Sequence, residues 1–317
     1  MLTLPDFREK HILYVQAEYR SDNLLQLTND NIRFVRDGEA IDQMSCYTVL
    51  AVFIVGEMSI TTALLKKLTS YGISVFFLNH NLRTLAAVMA ESEGNYLLRQ
   101  KQYTTKDDLY ISSAIIKNKI RNQQLLLEKY KKPYDHQILD NALNMLAKIK
   151  DKQQLLGVEG IVSKTYFGAM FQKLNWLRRA PQTREDIINL LLDIGYTYLF
   201  NLCDSLLRLF GFDTYKGYYH QLFFQRKSLA CDIMEPLRPL IDRQLLKSYH
   251  LGQIKEKDFL FRNGRFEFKK GFVTSKKYSS VFLEAIDQNK EEIYLYILAF
   301  YRYIMNKKKY PFPEFQI

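Results

Sequence analysis

The spacing of apolar residues changes near residue 93, and this change restricts the possible folds more than any other feature. Before it, short apolar runs alternate with turn-forming residues, as in strands, and Val49 to Val55 is apolar throughout, which predicts a strand buried on both faces. After it, leucine and isoleucine recur at helical spacing. We therefore predict an α+β chain with a β-rich domain over residues 1–93 and a larger all-α domain over residues 94–317.

The β-rich domain contains a predicted hairpin and one predicted helix. Leu24 to Leu27 and Ile32 to Val35 flank Asn29 to Asn31, whose residue types favour a turn between antiparallel strands. The helix follows, with Ser59 as its N-cap and Gly72 as its C-cap. It is the single helix expected in this domain.

Four helices are expected next in the chain. The first is long and ends near Lys131, and a shorter one covers Asn141 to Lys150. Gly157 to Gly160 opens a third, which runs from Ile161 to about Trp176. Asp186 to Phe210 is strongly apolar and predicts a buried central helix.

The charge balance favours a polyanionic partner. Lysine and arginine number 45 against 34 acidic residues, giving a net charge of +11. DNA, RNA or an acidic membrane surface would be attracted, although an ordinary basic protein has the same balance. The three cysteines lack zinc or redox spacing, residues 1–9 lack signal-peptide features, and no apolar run could span a bilayer. We expect a cytoplasmic protein with no membrane association.

One short span combines a histidine with two carboxylates. His220 precedes Asp232 by twelve residues, and Glu235 follows one helical turn later. This mixed nitrogen and oxygen donor set suits Mg²⁺ or Mn²⁺. A solvated acidic pair on an amphipathic helix and a histidine without a ligand role explain the same residues. Pro236 removes a backbone donor, so we also predict a kink beside the acidic pair.

Two further groups of residues have both a structural and a functional interpretation. Glu159 lies at the predicted start of a helix, where the helix dipole alone would favour a carboxylate. Arg178, Arg179 and the cluster Lys307, Lys308 and Lys309 are candidate DNA contacts, and such lysines can equally cover an aromatic core. Periodicity cannot show whether Glu159 meets Asp232 in space.

Three ordered motifs are similar to those of one family. Gly157-Val-Glu159-Gly160, the loop from Gly211 to His220, and the segment from Ser228 to Pro239 resemble the universal integrase subunit of CRISPR adaptation. The similarity extends over nearly the whole chain. Leu82-Arg83 departs from it, because many relatives carry glycine there. Details of the helical half resemble the type V subtype, found beside single-effector RNA-guided nucleases with T-rich recognition sites.

The resemblance implies a fold and an activity. The fold would be an N-terminal β-sandwich followed by a helical domain. The activity would be that of a DNA endonuclease and integrase dependent on Mg²⁺ or Mn²⁺, which joins the 3′-hydroxyl ends of captured foreign DNA into the CRISPR array at the leader–repeat by transesterification. Glu159, His220 and Asp232 match the family's metal-binding and catalytic residues, and Glu235 matches a further, more variable acidic position. A non-catalytic nucleic-acid-binding scaffold and a general branched-DNA repair nuclease are the alternatives.

The resemblance also implies partners. These are double-stranded DNA, a second copy of the chain, and a small ferredoxin-fold protein that completes a heterohexamer. We predict that the homodimer forms through the β-rich domain, because apolar runs such as Ile73 to Leu78 exceed what so small a domain would bury alone.

Overall fold

Two four-stranded sheets and one helix form the N-terminal part of the chain. The computed structural model describes residues 9–79, 84–90, 95–172, 174, 176–221, 223–269 and 271–317. The N-terminal elements are β1 (His11–Gln16), β2 (Asn23–Thr28), β3 (Asn31–Arg36), β4 (Glu39–Ser45), β5 (Val49–Val55), β6 (Ser59–Ile60), α1 (Thr62–Ser70), β7 (Ser74–Leu78) and β8 (Thr84–Val88). One sheet has the order β1-β5-β7-β8 and the other has the order β4-β3-β2-β6.

Strand β5 is buried on both faces, as its continuous apolar sequence predicts. Val52 and Ile54 belong to the core that the two sheets and α1 enclose. Ala51, Phe53 and Val55 belong instead to the core shared with the helical part. The ring of Phe53 lies 5.2 Å from that of Tyr198, edge to face, so the sheet packs directly on the central helix.

The predicted hairpin is confirmed, and the start of the first helix is corrected. Strands β2 and β3 pair antiparallel, and their turn residues Asn29 and Asp30 have φ of 47° and 60°, the left-handed region that asparagine and aspartate tolerate. Ser59 lies in β6 and is not the N-cap of α1. That position belongs to Thr61, whose hydroxyl accepts from the Leu64 N–H. Gly72, with φ of +74°, follows the helix.

The C-terminal part is helical, with one short hairpin that the sequence analysis did not predict. Its elements are α2 (Tyr96–Thr104), α3 (Asp108–Lys129), α4 (His136–Leu146), α5 (Lys152–Phe171), α6 (Ile187–Leu209), α7 (Ser228–Met234), α8 (Arg238–His250), β9 (Phe259–Arg262), β10 (Arg265–Phe268), α9 (Gly271–Gln288) and α10 (Lys290–Met305). The α+β class is therefore confirmed, but the second part is not purely α, because β9 and β10 pair antiparallel. Helix α6 is the predicted central helix.

The predicted boundaries of α4 and α5 are wrong. Helix α5 begins at Lys152 and is capped by Asp151, so Glu159 lies in its interior rather than at its start. The helix dipole therefore does not explain Glu159, because that effect is confined to the first turn. Helix α4 runs from His136 to Leu146 rather than from Asn141 to Lys150, and α5 ends at Phe171 rather than near Trp176.

Strand β7 removes the argument given for a dimer through the β-rich domain. It lies between β5 and β8, and Val75 and Phe76 are fully buried within a single chain. The predicted domain boundary and the Leu82-Arg83 turn lie outside the described residues. In the ranges that the structure describes, none of the helices is long and apolar enough to cross a membrane.

Candidate active site

Asp232 organises the loop that carries His220. Its Oδ2 accepts the backbone N–H groups of Tyr218 and Tyr219 at 2.5 and 3.0 Å. Its Oδ1 accepts the His220 N–H at 2.9 Å and lies 2.7 Å from the imidazole Nδ1. The side chain is fully buried. A carboxylate partner places the imidazole proton on Nδ1, which leaves the Nε2 lone pair available to a ligand.

Close packing at Gly217 holds this loop against the helix. A Cβ at that position would lie 2.7 Å from Asp232 Oδ2 and 2.7 Å from the Ser228 backbone carbon. Glycine is required here because the backbone approaches the carboxylate so closely.

Glu235 lies in a break of the helix. The break predicted at Pro236 is confirmed, because α7 ends at Met234 and Glu235 to Leu237 form a single 3₁₀ turn before α8. In a regular helix the Asp232 carbonyl would accept from residue 236, but Pro236 has no N–H to donate. The Glu235 N–H donates to that carbonyl instead. Both carboxylates are buried rather than solvated, Asp232 being fully buried and Glu235 3 % exposed. The interpretation as a solvated acidic pair is therefore wrong.

Lys119 of α3 joins the two glutamates. Its Nζ lies 2.5 Å from Glu159 Oε1 and 2.7 Å from Glu235 Oε2, and its side chain is only 7 % exposed. Ser163 also donates to Glu159 Oε1, at 2.8 Å. The contact with Glu235 Oε2 is an ion pair, and it helps to lower the pKa of that carboxyl group. Helices α3 and α5 and the 3₁₀ turn thus bring together residues that are far apart in the sequence.

The charges at this point keep both glutamates ionised. Burial alone would raise the pKa of Glu235, but the nearby charges of Arg238 and Lys119 lower it to about 2. Burial raises the pKa of Glu159, but Lys119 lowers it by more, so that this pKa also lies below its usual value. Arg238 lies 3.0 Å from Glu235 Oε1 and packs over the Tyr196 ring at 4.8 Å. The site therefore presents two carboxylates and one imidazole nitrogen.

A buried aspartate holds the tyrosine against which Arg238 packs. Asp242 accepts hydrogen bonds from the Tyr166 and Tyr196 hydroxyls at 2.9 and 2.5 Å. Burial raises the pKa of Asp242 to about 6, although these hydrogen bonds oppose the shift.

The site opens into one pocket of about 660 Å³. Glu159, His220 and Glu235 reach it, as do Lys119 and Arg238, whereas Asp232 is absent from its lining. His220 Nε2 lies 4.0 Å from Glu235 Oε1. Over the described ranges, no three histidine, cysteine, aspartate or glutamate side chains are already close enough together to hold a metal ion. Lys119 stands between the two glutamates instead.

The predicted DNA contacts fall in two places. Arg178 and Arg179 line the same pocket, but Arg179 is largely buried and binds Asn189 and Asp193, while Arg178 is exposed and pairs with Glu185 at 3.1 Å.

The lysine cluster lies elsewhere. Lys307 and Lys308 line a second pocket, which has no described residue in common with the first. Lys307 pairs with Asp107, Lys308 is exposed, and Lys309 packs over the Tyr310 ring at 5.4 Å. Among these five residues, Arg178 combines high exposure with a position in the pocket that Glu159 and His220 line.

Sequence analysis missed Lys119, although a signal was present. Ile115, Ile116 and Ile120 lie on the buried face of α3, and Lys119 shares that face at spacings of four, three and one residues. A lysine on a buried helical face requires a carboxylate partner, since burying an unpaired charge is very costly. The sequence does not show which carboxylate pairs with Lys119.

This fold and this site together define a class of protein. A buried aspartate orients a histidine beside two ionised glutamates, in a pocket on a basic chain. Such a set is typical of enzymes that act on phosphate esters with a hard divalent cation.

The comparisons identify the family. The model of the family "CRISPR associated protein Cas1" matches residues 13–287. A CRISPR-associated endonuclease Cas1 of Thermodesulfovibrio yellowstonii is 31 % identical over 262 residues, covering 76 % of this chain and 81 % of the relative. A Cas1 endonuclease of Archaeoglobus fulgidus is 29 % identical over 272 residues, covering 75 % of this chain and 79 % of the relative. The chain belongs to the Cas1 family.

Solved structures agree in fold. A Cas1 protein from Thermotoga maritima superposes with a TM-score of 0.81 at 18 % identity, over 93 % of this chain and 97 % of that one. A casposase bound to an integration product has a TM-score of 0.79 at 19 % identity, covering 94 % of this chain and 92 % of that one. The predicted family, fold and enzyme class are confirmed: the chain is an endonuclease and integrase of CRISPR adaptation, in preference to a scaffold or a repair nuclease. The subtype stays a prediction.

Proposed function

We propose that Glu159, His220 and Glu235 hold one Mg²⁺ or Mn²⁺ ion, and that Asp232 positions His220 rather than binding the ion. One observation carries this assignment: both Asp232 oxygens are engaged by three backbone N–H groups and the imidazole, out of reach of the pocket. The two glutamates instead share a cation, Lys119, at 2.5 and 2.7 Å. The resemblance implied Asp232 as a ligand and Glu235 as a more variable acidic position, whereas this assignment makes Glu235 the ligand and Asp232 a positioning residue.

The residues present fit such an ion. Carboxylate oxygens and one imidazole nitrogen suit Mg²⁺ and Mn²⁺, and the carboxylates already accept a cation in this position. When bound, the ion would polarise the scissile phosphate and stabilise the leaving oxygen. Within the chain, Asp232 fixes the imidazole with Nε2 toward the pocket, and Arg238 balances the charge of Glu235.

The reaction is a transesterification of DNA. The 3′-hydroxyl oxygen of a captured strand forms a bond to a phosphorus of the array, at the leader–repeat. The bond from that phosphorus to its former 3′ oxygen breaks, and the proton moves from the attacking to the leaving oxygen. The number of phosphodiester bonds is unchanged, so no energy source is needed, and the protein contributes positioning and electrostatics.

The proposed partners of this chain are inferred from its structural neighbours. Neighbours in fold include a casposase bound to an integration product and a Cas6-RT-Cas1–Cas2 complex, which supports double-stranded DNA and a Cas2-like ferredoxin-fold protein as partners of this chain. One chain has one site and a duplex has two ends, so the working unit contains at least two copies, and a heterohexamer with the small partner satisfies this. Leu85 on the edge strand β8 is 68 % exposed and offers apolar surface for the homodimer.

The test pairs binding with chemistry. Glu159→Gln and Glu235→Gln should each weaken Mn²⁺ binding in calorimetry and abolish half-site strand transfer, because each loses a charged ligand oxygen. Glu314→Gln is the matched control, since Glu314 pairs with Arg121 at 2.8 Å on the surface and outside the pocket. Near wild-type transfer and Mn²⁺ affinity in Glu235→Gln would return the ligand role to Asp232.

A further inference from the structure

Among the described residues that line the pocket, Lys119 is the most deeply buried cation. It contacts two carboxylates at ion-pair distance, and no motif that defined the site includes it. A lysine buried to this degree is stable only while it is paired, and the two glutamates would repel each other without it. Each of the three charges therefore depends on the others.

The backbone around Lys119 is fixed, so adjustment is left to its side chain. Asn122, one turn further along α3, donates to the Pro236 carbonyl and to the Phe315 carbonyl, both at 2.9 Å. Asn118 also donates to Phe315, at 2.8 Å. The bond to Pro236 ties α3 to the turn that bears Glu235, and the two bonds to Phe315 tie it to the C-terminal segment. The flexible four-carbon stem of Lys119 can withdraw the ammonium group without moving the helix.

We propose that Lys119 is a positioning residue that acts as an internal cation: it holds Glu159 and Glu235 together in the metal-free protein and releases them to a divalent ion. This inference rests on the proposed metal site. It explains why the described side chains form no ready metal cluster although the donors are adjacent. It follows that Lys119 competes with the ion, so that wild-type affinity is lower and metal-free stability is higher than the carboxylates alone would give.

The test compares metal response in full-length variants. Lys119→Met removes the charge and Lys119→Gln retains a hydrogen-bond donor. Without metal, Lys119→Met should melt at lower temperature than the wild type, because two buried carboxylates lose their cation. Mn²⁺ should raise its melting temperature by more than it raises that of the wild type. Calorimetry should give at least about tenfold tighter Mn²⁺ binding for both variants, since a competing charge is gone.

Lys290→Met is the matched control. Lys290 is also a buried lysine, paired with Asp287 at 3.3 Å away from the pocket, so its loss should lower the melting temperature and leave the Mn²⁺ response unchanged. If Lys119→Met folds only with Mn²⁺, the inference is supported. Unchanged or weaker Mn²⁺ binding in Lys119→Gln would overturn it, as would failure of both variants to fold with or without metal. A wild-type protein that binds no Mn²⁺ would instead overturn the proposed metal site.

Discussion

The hydrogen bonds of Asp232 make Asp232→Asn the most informative substitution. Asparagine keeps the shape but replaces one oxygen by an NH₂ group. At the Oδ2 position that group would face two backbone donors, from Tyr218 and Tyr219, whereas at Oδ1 it would face one backbone donor and His220 Nδ1. The second orientation is cheaper, because Nδ1 can accept if the imidazole proton moves to Nε2.

The magnitude follows from these contacts. A hydrogen bond to a charged group contributes about 1.5–3 kcal/mol, and the favoured orientation loses one backbone bond and weakens two others. We expect a loss of about 2–4 kcal/mol in the free energy of unfolding, measured by urea denaturation. The larger effect is on metal affinity, since protonated Nε2 has no lone pair to offer. Loss of an orienting partner typically costs about 10–100-fold, and calorimetry with Mn²⁺ would measure it.

A control separates the two effects. Asp204→Asn alters another fully buried aspartate, paired with Arg208 at 3.2 Å and Lys227 at 2.6 Å, and should lower stability while leaving Mn²⁺ affinity unchanged. Nitrogen-15 NMR of His220 would report the tautomer directly. The reasoning fails if Asp232→Asn binds Mn²⁺ as the wild type does, or if its Nε2 stays unprotonated.

Two further substitutions test the packing and the charges around the site. Gly217→Ala should lower the free energy of unfolding by about 1–3 kcal/mol and also lose strand transfer, because its Cβ would lie 2.7 Å from the Ser228 backbone. A thermal melt and a strand-transfer assay check this, and an unaffected variant would contradict it. Asp242 has a pKa raised from 3.8 to about 6 in the folded state, so its own contribution to the free energy of unfolding should fall by about 3 kcal/mol as the pH rises through that window. Asp242→Asn mimics the protonated form and should flatten this dependence in urea denaturation at pH 4 to 7, and a slope equal to that of the wild type would refute the assignment.

Local patterns determined much of the fold. The unbroken apolar run of β5 predicts burial on both faces because a strand alternates its side chains, and both faces are indeed covered. The break at Pro236 follows from the missing backbone donor of proline, whatever packs nearby. The spacing of His220 and Asp232 is likewise local, because a loop and the next helical turn bring them within 2.7 Å.

Tertiary structure decided what the acidic residues do. Helical periodicity places Asp232 and Glu235 on the polar side of a segment, but it contains no information about what packs there. In the folded chain the loop that follows Gly217 donates hydrogen bonds to Asp232, and helix α3 places Lys119 beside Glu235. Glu159 and Glu235 meet through that lysine across more than seventy residues of sequence. A contact at that separation is set by how helices pack, which is why the motif names the residues and only the fold assigns their roles.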